Sequence, residues 1–264
     1  MTKNKDQIDR DYEEYKLAGR VWGQVPQERI SKIRFPRPSK EVIAEFEALD
    51  DLTTTISDVL DSLGIRGTIA GSHMPPLLPG KKIVGTAVTV RSIPERKTST
   101  QGYIDKDFIQ MSTRESYYLG EPGDILVCDF GGNLEVSNMG GQSVTVAKSR
   151  GFVGAIVNGA VRDVDTIRNA DYPVWCKGVT PITGKFRMQA MELNGPVTVH
   201  DIMVEAGDLI VADGSGICAI PFDLIETVLE KVKGILAEEA TMRDLIESKR
   251  PLDELRPLYR KRYS

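Results

Sequence analysis

The sequence predicts one mixed α/β domain, and three observations carry that expectation. Apolar, β-branched runs alternate with amphipathic stretches through the middle of the chain, as strands and helices do when they are laid down in turn. Later segments read as hairpins, with Asp213-Gly214-Ser215-Gly216 a strong turn between the apolar runs 209–212 and 217–220. Finally, 264 residues, 41% hydrophobic and 27% charged, suffice to bury one large core. Internal repeats and low-complexity blocks are missing from the sequence.

Residues 1–39 read as an accessory arm. Positions 6–18 are highly charged and helix-compatible, and Pro26, Pro36 and Pro38 interrupt the remainder of the arm. Residues 34–38 read as extended linker, and the arm is expected either to clasp a second subunit or to trail as a disordered tail. The main domain is expected over 40–240. Ser39 is placed to N-cap a helix over 40–46, and 53–63 reads as a second helix with Ile56, Val59, Leu60 and Leu63 on one face. Asp58 and Asp61 flank that face and are expected in solvent. Residues 71–82 are loop, broken by Pro75, Pro76 and Pro79, with His73 exposed. A strand follows over 83–93.

Residues 94–121 are the least legible. Positions 97–102 read as polar and flexible and 105–118 as weakly helical, so the segment either lines a pocket or merely connects. After a turn at 121–124 comes a strand over 125–128, with Asp129 beyond its end as a pocket support or a turn former. Further on, 172–176 reads as a short strand and 177–184 as a loop leading to β structure near Val197 and Val199. His200 is expected to be structural. Residues 222–249 carry a helical stripe of Ile225, Val228, Leu229, Val232, Ile235 and Leu236, followed in the same helix by Glu238 and Glu239. A helical tail over 241–264 ends in Arg260-Lys261-Arg262, read as a solvated or oligomer-contacting segment.

Composition narrows the function. Net charge is −4 and no basic block stands out, which disfavours nucleic-acid binding by phosphate neutralisation. No apolar run approaches the ~20 residues of a membrane helix. The charged N-terminus shows no export signal, and the cytoplasm is the expected location. Cys128, Cys176 and Cys218 lie far apart, without zinc spacing or a disulfide framework, and are expected to be buried free thiols.

The chemistry concentrates at 140–163. Gly140 and Gly141 lead into a helix-compatible run over 142–150, and 151–154 is a turn. Ala155-Ile156-Val157 is a buried strand, and Arg162-Asp163 stands where that strand should be ending. A helix start offers free N–H groups and the positive end of a dipole to a carboxylate or phosphate. If strand and helix lie side by side, anion-binding amides, a guanidinium fork and one metal-capable carboxylate meet. The bland alternatives are a surface ion pair, worth about 0–1 kcal/mol, or Asp163 as the N-cap of a following helix.

Gly141, twenty residues and then Arg162-Asp163 resembles the G-x20-R-D signature of the RraA-like family. That family holds 4-hydroxy-4-methyl-2-oxoglutarate/4-carboxy-4-hydroxy-2-oxoadipate aldolases and ribonuclease E regulator proteins. Ser57-Asp58-Val59-Leu60-Asp61 is similar to its early helix and the run 84–90 to its first strand. Gly123-Asp124 and Gly207-Asp208, each opening a strand, are similar to two further family segments. The resemblance runs in order over about 40–240.

The resemblance implies a swivelling β/β/α-type fold, a homotrimer or dimer of trimers, and active sites between subunits. It implies a metal-dependent pyruvate aldolase that would also decarboxylate oxaloacetate, because both reactions leave the enolate of pyruvate. Asp163 would ligate Mg²⁺ (or Mn²⁺) and Arg162 would bind the 2-oxo/enolate oxygen. Gly141 with the amides of Gln142 and Ser143 would hold the substrate carboxylate. Glu238 or Glu239 of a neighbouring subunit would hold a metal-bound water. The sequence departs from the family pattern twice: Gln142 stands where many members have Glu, and Thr166 where an acidic residue often follows the Arg-Asp pair. The rival implication is a non-catalytic regulator of a protein such as a ribonuclease. That branch replaces the Asp after the Arg, and Asp163 is present here. A phosphohistidine carrier needs a reactive-loop histidine, a setting that neither His73 nor His200 has. A methyltransferase finds no glycine-rich nucleotide loop.

Overall fold

The computed structural model describes residues 5–106 and 113–261. In chain order, α1 (Lys5–Leu17), α2 (Lys40–Glu47) and α3 (Leu52–Ser62) precede β1 (Thr68–Ala70) and β2 (Ile83–Pro94). Next come α4 (Ser99–Ile104), α5 (Thr113–Leu119), β3 (Asp124–Ser137), α6 (Gly141–Ser149), β4 (Gly154–Val161), α7 (Val164–Asn169) and β5 (Val174–Val179). The chain continues through β6 (Met188–Leu193), β7 (Val197–Val199), β8 (Ile202–Val204), β9 (Leu209–Ala212) and β10 (Gly216–Ile220). It closes with α8 (Ile225–Glu247) and α9 (Leu252–Lys261).

One eight-stranded mixed sheet organises these elements, in the order β1-β10-β9-β2-β3-β4-β5, with β6 also paired to β2. Strands β2 to β5 run parallel, each joined to the next through helices, while β9, β10 and β1 extend the sheet antiparallel. The central strands are covered on both faces, which is why they read as continuous apolar runs. Leu126 and Cys128 of β3 face one cluster with Val157, Val144 and Phe152. Ile125 and Val127 face the other, beneath the β7–β8 hairpin. Helices α2, α3 and α8 close over β9 and β10 through Phe46, Ile56, Leu60, Val228 and Val232. The mixed α/β class is therefore as the sequence predicts.

Several local expectations change. The arm, from Lys5 onward, packs on its own chain: Tyr12, Tyr15, Val25, Ile30 and Ile33 join the core cluster of β2 to β4. Arg37 forks onto the buried carboxylate of Asp124, at 2.9 and 2.8 Å. Residues 99–102, expected to be flexible, lie in α4, whose N-cap Thr98 accepts the Gln101 N–H. Strand β3 runs on to Ser137 with shifts in register, where a strand of four residues was expected, because Asn133 and Ser137 still find partners on β4. Within the expected loop after Cys176, β5 extends to Val179, and β6 follows beside β2. Its apolar positions are interrupted by Gln189 and Glu192, which hide the strand from a pattern reading. The expectation for residues 107–112, and that for the side chains of Arg260 to Arg262, lies outside the described residues.

All three cysteines are buried and free. Burial pushes the Cys176 thiol up to about 11 and Cys218 up to about 12, so neither is a nucleophile near neutrality. Asp208 opens β9, and its carboxylate accepts N–H bonds from Glu205 (2.8 Å) and Phe222 (3.3 Å). Burial nevertheless raises its pKa to about 6. The unfolded carboxyl titrates near ~4, so between these values the folded state binds more protons. Its contribution to stability therefore falls as pH rises through that window. Asp208→Asn is expected to flatten the stability profile there, as read by urea midpoints between about pH 4 and 6.

Candidate active site

The ends of β3 and β4 build the site. Ser137 pairs with Ala160, Asn138 N–H donates to the Ala160 carbonyl (2.8 Å), and Arg162 N–H donates to that of Met139 (2.9 Å). The chain leaving β3 at 138–140 is thereby fixed alongside 160–162, and α6 starts beside the Arg-Asp pair. Gly140 is required by space rather than by conformation. Its φ of −156° is extended, but a Cβ there would come within 2.5 Å of Asp163 Oδ2 and 2.9 Å of Arg162 Cγ. On Gly141 a Cβ would meet Thr166 Cγ2 at 2.8 Å, so Thr166 backs the glycine pair.

Asp163 departs from the plain N-cap reading. It occupies the N-cap position of α7 in a left-handed conformation (φ 55°), yet its side chain makes no capping bond to that helix. Instead Oδ2 accepts the Gly141 N–H at 2.9 Å, turning the carboxylate towards the start of α6. Arg162 Nε lies 3.6 Å from the same oxygen, and both side chains are 42% exposed. A pair that open to solvent contributes little stability, about 0–1 kcal/mol. The left-handed backbone at a non-glycine residue is itself unfavourable. The bond from Gly141 N–H, not a cap on α7, sets the direction of the carboxylate.

The helix start is left with spare donors. Gly141 N–H is taken by Asp163 and Val144 N–H by the Gly140 carbonyl, whereas the amides of Gln142 and Ser143 have no acceptor among the described residues. They open on a cavity of about 380 Å³ that also receives Arg162. Asp163 and Gly141 are not part of its lining; Asp163 lies behind Arg162, whose Nε is 3.6 Å from its Oδ2. Three groups that sequence reasoning missed complete the cavity. Gln24 comes from the arm, Arg114 from α5, and Lys185 from the loop after β5. That loop is tied to the end of β3 by Ser137 N–H to Ile182 O (2.9 Å) and Gly184 N–H to Ser137 O (3.1 Å). Arg114 donates to Gln142 Oε1 at 2.7 Å, so the neutral amide at position 142 holds a cation where Glu would neutralise it. The poorly legible segment thus lines the cavity. Arg114, Arg162 and Lys185 give its wall a cationic character.

The other expected residues fall elsewhere. Asp129 binds Gly131 N–H (3.0 Å) and Thr198 N–H (3.2 Å), which makes it a turn former that also pins the β7–β8 hairpin. Glu238 and Glu239 lie on α8, which packs on α3, and neither lines this chain's cavity. His73 and His200 stack with ring centroids 4.3 Å apart in a second cavity of about 530 Å³ that shares no lining residue with the first. No group of three or more His, Cys, Asp or Glu among the described residues is arranged to hold a metal. A site with one protein carboxylate fits an ion such as Mg²⁺ that keeps most of its waters, and does not fit a closed zinc centre. Asp163 fits that role, since no described residue bonds its Oδ1.

Residues 53–219, which contain the glycine pair and Arg162-Asp163, match the profile of the family described as "RraA-like: Aldolase/RraA". The chain belongs to the RraA-like family. Protein DlpA of Legionella pneumophila is 30% identical over 238 residues, which cover 87% of this chain but only 37% of DlpA. A protein of Halalkalibacterium halodurans named "Putative 4-hydroxy-4-methyl-2-oxoglutarate aldolase" is 29% identical over 199 residues, 75% of this chain and 85% of that protein. The RraA-like architecture recurs in solved structures. An uncharacterized protein from Pseudomonas syringae pv. tomato superposes with a TM-score of 0.69 at 28% identity, over 84% of this chain and 100% of that one. Streptomyces coelicolor RraAS2, described as an unusual member of the RNase ES inhibitor RraA protein family, gives 0.66 at 25% identity, over 80% and 99%. No helix among the described residues is long and apolar enough to cross a membrane.

Proposed function

We propose that this RraA-like protein is a divalent-metal-dependent lyase that cleaves a 4-hydroxy-2-oxo acid by retro-aldol to pyruvate. One observation carries the reading: Asp163 is turned from its own helix onto Gly141, beside Arg162 and two uncommitted amides. In the reaction the C4 hydroxyl gives up its proton and the C3–C4 bond breaks. Its electron pair stays on the C3 side as the enolate of pyruvate, and protonation at C3 completes the product. The developing charge on the 2-oxo oxygen dominates the barrier, and preorganised donors aimed there supply the largest catalytic effect. In this reading Arg162 donates to that oxygen. The Gln142 and Ser143 amides, at the positive end of α6, hold the C1 carboxylate. Arg114 and Lys185 offset the charge at the far end of the acid. Asp163 would hold Mg²⁺ or Mn²⁺, which when bound supplies Lewis-acid polarisation of the 2-oxo group.

Oxaloacetate would lose carbon dioxide through the same enolate, so decarboxylation belongs to the proposal. So does a homotrimer or dimer of trimers in which Glu238 or Glu239 of a neighbouring copy approaches the ion. The likeness to RraAS2 keeps a second reading in play, a non-catalytic regulator binding a protein such as a ribonuclease. The test is pyruvate release from 4-hydroxy-4-methyl-2-oxoglutarate and from oxaloacetate, with Mg²⁺ or with EDTA. Release that depends on Mg²⁺ and stops with EDTA is expected. Failure of both substrates, together with no Mg²⁺ binding by calorimetry, would move the assignment to the regulator.

A further inference from the structure

Asn138 is the residue immediately after β3, and its backbone is fixed by the bond from its N–H to Ala160 O. Its side chain is 1% exposed and lines the cavity of the Arg162 site. Neither Nδ2 nor Oδ1 has a hydrogen-bond partner among the described residues. Two other buried asparagines show what this chain does with a structural amide. Asn158 Nδ2 donates to Thr198 O at 3.0 Å, and Asn194 Nδ2 to Lys32 O at 2.8 Å; each leaves only its oxygen unpaired. Buried polar side chains are almost always paired, and leaving both ends of a carboxamide open disfavours folding.

A carboxamide offers donors on one side and an acceptor on the other. A ligand that satisfies both presents a donor beside an acceptor, as a hydroxyl next to a carboxylate does. We propose that Asn138 is a substrate-binding residue that recognises an α-hydroxy-carboxylate, its Oδ1 accepting from the hydroxyl and its Nδ2 donating to the adjacent carboxylate. The inference rests on the lyase reading only for naming that group as the C4 end of the acid. The helix start of α6 takes the opposite end, and Arg114, tethered by Gln142, adds charge for the second carboxylate.

The test uses the full chain with Mg²⁺ and three calorimetric probes: citramalate, which carries the α-hydroxy-carboxylate, 2-methylsuccinate, which lacks the hydroxyl, and oxalate. The wild type is expected to prefer citramalate to 2-methylsuccinate by roughly tenfold. Asn138→Leu is expected to abolish that preference, leave oxalate binding unchanged and hold or raise the melting temperature, since it removes an unpaired polar group. A preference that survives in Asn138→Leu overturns the proposal, as does a wild type that binds citramalate and 2-methylsuccinate equally or not at all. A lowered melting temperature with unchanged binding makes the amide structural and overturns it too. Turnover separates the two readings. Loss of the preference in a protein that releases no pyruvate sinks the lyase alone, and pyruvate release unaffected by Asn138→Leu sinks this assignment alone.

Discussion

Asp163→Asn is expected to lower pyruvate release by roughly 10²–10³-fold, the effect of removing one preorganised electrostatic group from an active site. The asparagine keeps an oxygen to accept the Gly141 N–H and tolerates the left-handed backbone that Asp163 adopts. Only the charge is removed, so the melting temperature should barely move. Asp163→Ala removes charge, hydrogen bond and local conformational fit together. It should be equally inactive and also destabilised by about 1–2 kcal/mol, mostly from placing Ala at positive φ. Steady-state pyruvate release with Mg²⁺ in excess, beside calorimetric Mg²⁺ titration of each variant, checks both halves. An Asn variant that binds Mg²⁺ like wild type would show that the ion sits elsewhere. One that also retained wild-type turnover would remove Asp163 from the mechanism.

Two aspartates, Asp129 and Asp163, mark how far the sequence could be read. In the sequence each reads as the residue past a strand end, poised between turn, cap and site, whereas in the structure Asp129 lies within β3, at the register shift before Asn133. For Asp163 the resemblance implies a metal-ligand role, and the structure shows a helix start brought alongside by the pairing of β3 with β4. For Asp129 the partner that decides is Thr198 on a hairpin far along the chain, which no local pattern announces. Amphipathic helices such as α3 and α8 were legible because their burial is periodic. Strand β6 was not, since its burial alternates irregularly along an interrupted pattern. Gln24, Arg114, Asn138 and Lys185 carry no spacing signal at all. They converge because the arm, α5, the end of β3 and the loop after β5 fold onto one point.

One buried carboxylate ties the arm into that convergence. Glu115 of α5 has no exposed surface, and its oxygens accept the N–H groups of Trp22 (2.7 Å), Gly23 (3.2 Å) and Gln24 (2.9 Å). Three successive amides converging on one charge form the kind of contact whose loss leaves donors unpaired. Glu115→Ala is therefore expected to cost about 3 kcal/mol of stability, measured by urea unfolding. Gln24 would leave the cavity wall with its segment. Since Gln24 belongs to the wall and touches no bond that breaks, KM should rise by more than kcat falls. Limited proteolysis should open a new cleavage site between α1 and the 3₁₀ turn at Gln27–Arg29. Competing anchors set the contrary outcome. Arg20 donates to the Gly120 carbonyl at 2.7 Å and pairs with Glu121 at 2.8 Å, while Tyr12 and Tyr15 are buried in the core. If Glu115→Ala unfolds and digests like wild type, those contacts hold the arm by themselves. Glu115 would then be left with a local role in α5, and Arg20→Ala would become the variant that frees the wall.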